Sequence, residues 1–120
     1  MPFIAVVDDE EPIRKALKRL LRASGLEAEG YASGADFLSR TAQRRPDCVL
    51  VDLHMPSMGG LALLEHIRDT PVVVITAHDQ PESRAQCLAA GAAAYLKKPL
   101  DERLLLNAIS AALRKPRGHA

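Results

Sequence analysis

Tryptophan is absent and aromatics make up only 3% of the chain, so its core must be built from Leu, Val, Ile and Ala. The two cysteines, Cys48 and Cys87, form no CxxC pair and give no disulfide framework, which fits a reducing compartment. No apolar run nears the ~20 residues of a membrane span, and no secretory leader pattern opens the sequence. A cytoplasmic location without membrane contact is therefore expected. Charge of one sign is lacking too: 16 basic against 15 acidic side chains leave a formal +1, which argues against nucleic-acid binding through net charge. GxGxxG and GxxxxGK are both missing, which removes dinucleotide and P-loop nucleotide binding. His54, His66 and His78 recur every twelve residues but show no zinc-ligand spacing.

What is present suits one ordinary domain: 120 residues, 48% hydrophobic and 26% charged, too apolar for wholesale disorder. Three short β-branched runs, Phe3 to Val7, Cys48 to Val51 and Val72 to Thr76, are hydrophobic on both faces, as central strands of a covered parallel sheet must be. Weaker strand patterns span Glu27 to Tyr31, nearer an edge, and Ala93 to Lys97. Helical periodicity fills the gaps. Ile13, Ala16, Leu17, Leu20 and Leu21 share a face, with Pro12 placed first and Gly25 as the stop. Ser33 can cap a short helix carrying Phe37 and Leu38. A third helix is expected from about Gly60 to Arg68, a fourth from Pro81 to Ala90, and a fifth after Pro99. Five strands alternating with five helices predict an α/β domain with a doubly wound, five-stranded parallel sheet, since a closed barrel needs about 250 residues.

In such sheets function collects at the carboxyl ends of the strands. Those ends carry Asp8-Asp9, Asp52, Thr76-Ala77 and Lys97-Lys98-Pro99. Each alone has an ordinary structural explanation: a helix cap, β-propensity, a solvated lysine. Together they place three carboxylates, a hydroxyl and an ammonium on one rim. Like charges ~4 Å apart repel by roughly 4 kcal/mol at an effective dielectric of 20, so the aspartates need a counter-charge. Oxygen-only ligands on an open rim suit Mg²⁺. Asp52 would then be a nucleophile forming an acyl phosphate, with Thr76 and Lys98 holding the phosphoryl oxygens.

Val6-Val-Asp-Asp-Glu10, Val51-Asp-Leu-His-Met-Pro56, Val74-Ile-Thr-Ala77 and Tyr95-Leu-Lys-Lys-Pro99 resemble, in order and spacing, the receiver domain of two-component response regulators. The stretches from Tyr31 to Leu38 and from Thr76 to Ala90 are similar to the FixJ-type receivers. The resemblance implies a flavodoxin-like (βα)5 fold with strand order 2-1-3-4-5. It implies that Asp52 accepts phosphate from a sensor histidine kinase or phosphotransfer protein. It further implies Mg²⁺ (or Mn²⁺) held by Asp9, Asp52 and the main-chain carbonyl of His54, with Asp8 acting through water. Thr76 and Tyr95 match the switch pair, Lys98 the site lysine, and Lys98–Pro99 a cis peptide. Lys97 competes with Lys98, but the family's lysine directly precedes the proline. His54, Ala77 and His78 match positions that tune phosphoryl lifetime. Because imidazole titrates near neutrality, autodephosphorylation is expected to vary between about pH 6 and 8.

The resemblance places output, with homodimerisation on phosphorylation, on the fourth helix, fifth strand and fifth helix. Leu104-Leu105-Leu106 read most simply as core, with an exposed partner face that includes Tyr95 as the other reading. The glycines of Met55 to Gly60 read as turn geometry, and Glu10 as either near the metal or solvated. The receiver pattern is expected over 1–115, with 116–120 a linker or frayed tail; no DNA-binding pattern follows, so direct nucleic-acid binding is not expected. No small-molecule turnover is expected beyond the domain's own phosphorylation and dephosphorylation. A haloacid-dehalogenase-type phosphatase would need a second Asp where His54 stands. A flavodoxin would need a phosphate loop where Asp8-Asp9-Glu10-Glu11 lies. A degenerate receiver used only for protein contacts is the nearest alternative, and the complete Asp, Thr and Lys set opposes it.

Overall fold

The computed structural model describes residues 1–41, 43–56, 58–67 and 69–114, so the expected tail at 116–120 and the end of the predicted third helix at Arg68 fall outside them. Five strands alternate with five helices: β1 (Phe3–Val7), α1 (Glu11–Ala23), β2 (Glu27–Tyr31), α2 (Gly34–Arg40), β3 (Cys48–Asp52), α3 (Gly60–His66), β4 (Val72–Thr76), α4 (Pro81–Ala89), β5 (Ala94–Lys97) and α5 (Glu102–Arg114). All strand pairs are parallel, in the order β2-β1-β3-β4-β5, as expected. The order reverses between β1 and β3, which makes their carboxyl ends the switch point of the sheet.

The unbroken apolar runs have two jobs, one for each face. Ile4, Val6, Cys48, Leu50, Val73 and Ile75 pack on Leu17 and Leu21 of α1 and on Leu105, Ile109 and Ala112 of α5. Their alternates Ala5, Val7, Val49, Val51, Val72 and Val74 pack on Phe37, Leu63, Leu64 and Cys87 from α2, α3 and α4. Both cysteines are therefore small core residues, and burial pushes the Cys48 thiol up to about 12. Among the described residues no helix is long and apolar enough to cross a membrane.

Local signals set most boundaries. Ser33 Oγ accepts the Asp36 amide at 3.0 Å and caps α2. Gly25 and Gly91 follow α1 and α4 with φ of +88° and +105°, the left-handed stop that other residues resist. Helix α1 starts one residue early, so Pro12 is its second residue; both first-turn positions tolerate a missing N–H. The Asp8 carboxylate takes the Glu10 amide at 2.9 Å just before α1, so the strand-end acid shapes the turn without being the cap.

Two expectations about the α5 side are corrected. Of the three leucines, Leu105 is core and Leu106 half-buried, but Leu104 is 58% exposed, because a helix turns successive residues by 100° and cannot bury all three. Tyr95 is not part of an exposed face. It lies 5% exposed under α4, on the same side of the sheet as Val74, its register partner on β4.

Candidate phosphoryl-transfer and metal site

β1 delivers Asp8 and Asp9, β3 ends on Asp52, β4 ends on Thr76, and the turn after β5 carries Lys98. Asp8, Asp52 and Thr76 are buried, whereas Asp9 and Glu10 are exposed. Carboxylate oxygens of Asp8, Asp9, Glu10 and Asp52 all lie within 4.8 Å of one another. Glu10, left open between a metal-proximal and a solvated role, thus joins the acidic set through its side chain while keeping its exposure.

One ammonium holds this cluster together. Lys98 Nζ lies 3.2 Å from Asp8 Oδ2, 3.5 Å from Asp52 Oδ2 and 3.8 Å from Glu10 Oε1. Burial alone would lower the lysine pKa, but Asp8 and Asp52 outweigh it and hold Lys98 protonated above its usual range. The choice between adjacent lysines is resolved in favour of Lys98: β5 ends at Lys97, whose side chain is exposed. Lys98 follows in the turn, its amide donating to Thr76 O at 2.7 Å, with the Lys98–Pro99 peptide cis.

Asp52 is pushed toward its neutral form. Its carboxyl pKa is raised by burial first, opposed by the His54 amide and Lys98, and raised further by Asp8. The rim therefore carries more negative charge than its one ammonium neutralises. An all-oxygen set of converging carboxylates, partly open to solvent and electrostatically in deficit, fits a hard divalent cation. Asp8, Asp9 and Asp52 have the right chemistry to hold one.

Two loops are pinned to the strand ends by the same device. The His54 amide donates to Asp52 Oδ1 at 3.2 Å, and the His78 amide donates to Thr76 Oγ1 at 3.0 Å. These bonds fix where the residues two positions past Asp52 and Thr76 stand. Ala77, between Thr76 and His78, adds only an exposed methyl. Sequence reasoning missed one contributor, Arg14, whose Nη1 donates to the Asp8 carbonyl at 2.7 Å from the first turns of α1. Nothing in its pattern set it apart from the other basic residues of that helix.

The Tyr95 hydroxyl is buried beside the Asp79 carboxylate and the Gln80 amide. Burial first, and then the charge of nearby Asp79, raise its pKa. The Arg84 guanidinium carbon sits 5.5 Å from the centre of the Tyr95 ring.

A family model described as the response regulator receiver domain matches residues 4–110. The chain is 40% identical over 103 residues to the DNA-binding transcriptional regulator NtrC of Escherichia coli (strain K12), covering 82% of this chain and 22% of that protein. It superposes on a response regulator receiver protein from Burkholderia phymatum with a TM-score of 0.84 at 40% identity, covering 99% of this chain and 100% of that one. FixJ-N superposes with a TM-score of 0.88 at 30% identity, covering 99% and 98%. The chain spans between 22% and 50% of the length of curated relatives such as NtrC and the mycobacterial response regulator MprA.

Proposed function

The chain belongs to the response regulator receiver domain family of two-component systems, and we propose that it takes a phosphoryl group on Asp52 from the phosphohistidine of a sensor kinase or phosphotransfer protein. One observation carries the assignment of the residue. Asp52 ends β3, the central strand of the sheet, so it stands between the acidic residues that follow β1 and Thr76 at the end of β4, within 3.5 Å of Lys98 Nζ.

An Asp52 carboxylate oxygen attacks phosphorus as the phosphorus–nitrogen bond to the donor imidazole breaks, and the departing ring keeps that electron pair and takes up a proton. Lys98 keeps Asp52 ionised, against burial, until the attack, and is then placed to neutralise a phosphoryl oxygen. Mg²⁺ held by Asp8, Asp9, Asp52 and the His54 carbonyl, with Mn²⁺ able to replace it, would spread charge over the transferring group. The Thr76 hydroxyl proton is free to turn toward a phosphoryl oxygen, since Oγ1 already accepts the His78 amide. Drawing Thr76 toward the phosphoryl group then biases Tyr95, which lies diagonally across the β4–β5 ladder, two residues before Thr76's register partner Lys97, between two positions. His54, Ala77 and His78 set how easily water reaches the acyl phosphate.

Output follows as protein contact in the cytoplasm, through α4, β5 and α5, where Leu88 and Leu104 are 46% and 58% exposed. Homodimerisation on that face is the reading favoured here. The domain turns over no small molecule beyond its own phosphodonor.

The test uses acetyl phosphate with the intact chain. With Mg²⁺, mass spectrometry should show one added phosphoryl group, labile to hydroxylamine as acyl phosphates are and absent in EDTA. Borohydride reduction followed by peptide mapping should place it on Asp52. No adduct from a folded chain, or one on a hydroxyl residue, would overturn the assignment.

A further inference from the structure

His54 and His78 are 24 positions apart in sequence, on loops from two adjacent strands, yet their rings meet. The centroids are 5.7 Å apart with the planes at 70°. Neither loop reaches this arrangement by chance drift of a long side chain. Each backbone is pinned to its own strand end by the amide bonds to Asp52 and Thr76, and only the Ala77 methyl separates Thr76 from His78.

The ring nitrogens are also uncommitted. Among the described residues, no hydrogen bond or ion pair takes a ring nitrogen of His54 or His78. His66 differs, its Nδ1 lying 3.0 Å from the Ala62 carbonyl within α3. Both rings of the pair are exposed, so neither is held in place by burial.

We propose that His54 and His78 form a second, nitrogen-donor cation site on this rim, taking Zn²⁺ or a similar borderline dication beside the oxygen-donor pocket. Metal–nitrogen bonds of about 2 Å put two imidazoles on one ion with ring centres about 5–6 Å apart, the separation found here. Ligand chemistry sorts the two ions. Carboxylates and carbonyls suit Mg²⁺, whereas neutral imidazoles suit zinc, nickel and copper. Two protein ligands leave the remaining tetrahedral positions to water or to a phosphoryl oxygen. A dication there adds positive charge next to the phosphoacceptor, on the side from which these two residues control access.

The site goes beyond phosphoryl acceptance, and its test does not depend on it. Zn²⁺ is titrated calorimetrically into the intact chain in saturating Mg²⁺, so that the acidic pocket is already filled, with imidazole resonances followed by NMR. One Zn²⁺ should bind per chain, and the His54 and His78 rings should shift together. His54→Asn or His78→Asn alone should weaken binding by more than about tenfold, since each removes one of only two protein ligands. His66→Asn should leave it unchanged. Zinc binding that survives in the double variant, or that Mg²⁺ displaces, belongs to other groups and overturns the proposal, as does the absence of binding.

Discussion

Asp52→Asn should abolish the phosphoryl adduct and, in the same protein, raise stability in the absence of Mg²⁺. The loss follows from removing the nucleophile. The gain follows from burial of a carboxylate at the strand ends, where Asp52 also shares a single ammonium with Asp8. Its pKa in the folded chain is raised, by burial first. The folded state therefore holds a proton on Asp52 more readily than the unfolded chain does, and stability from this group falls as pH rises through the folded pKa. Above that pKa the wild type carries the whole cost; below the ordinary value of 3.8 it carries none. Asparagine carries none at any pH.

The expected gain comes from the desolvation of Asp52, because the repulsion from Asp8, roughly 4 kcal/mol at this range, is offset by the attraction of Lys98. Urea denaturation in EDTA reads it directly, and the difference between the two proteins should shrink on acidification. Adding Mg²⁺ should stabilise the wild type more than the variant, because a cation that binds only the folded state adds its binding energy to folding. A variant less stable than wild type in EDTA would mean that Asp52 is net favourable to the metal-free fold, contrary to the electrostatics described above.

The charged members of this rim are legible in the sequence because each is marked locally. Acidic residues at the ends of β1 and β3, a threonine ending β4 and a lysine before a proline are all local facts, and strand periodicity alone brings them to one rim. The choice between Lys97 and Lys98 rests on where β5 stops. Contacts that depend on how loops close leave no such mark. Arg14 reaches the Asp8 carbonyl because α1 begins immediately beyond the site, and no spacing rule distinguishes it from Lys15 or Lys18. His54 and His78 can each be singled out by position, but their meeting depends on two loop paths set by side-chain-to-amide bonds. Helical periodicity places Leu104 with Leu105, Ala108, Ile109, Ala112 and Leu113 on one stripe, yet Leu104 at its margin faces out. The exposure of Leu104 and the burial of Tyr95 are consequences of helix phase and of α4 covering β5, both tertiary.

Gly59 shows the same limit, and its replacement should cost both stability and phosphoryl uptake although it takes no part in the chemistry. Its φ of −92° is open to any residue, so the turn itself does not demand glycine. The demand comes from proximity: a Cβ on Gly59 would stand well inside 3.0 Å of the Leu53 carbonyl oxygen, which also accepts the Gly60 amide at 3.1 Å. That oxygen is backbone, held between β3 and the start of α3, and cannot rotate away. Gly59→Ala must displace the β3–α3 loop, and overpacking of this kind costs about 1–3 kcal/mol, here toward the upper end. Leu53 lies between Asp52 and His54, so displacement also disturbs the His54 amide bond to Asp52 and the carbonyl assigned to the metal. The variant should therefore lose both stability in urea and rate of phosphoryl uptake, although no reacting group has changed. Gly91→Ala is the contrast: nothing lies within 4 Å of its added Cβ, and its cost is the left-handed backbone alone, about 1 kcal/mol, with uptake preserved. Equal uptake by wild type and Gly59→Ala would show that the loop can close another way and that the Leu53 carbonyl does not fix the geometry of the site.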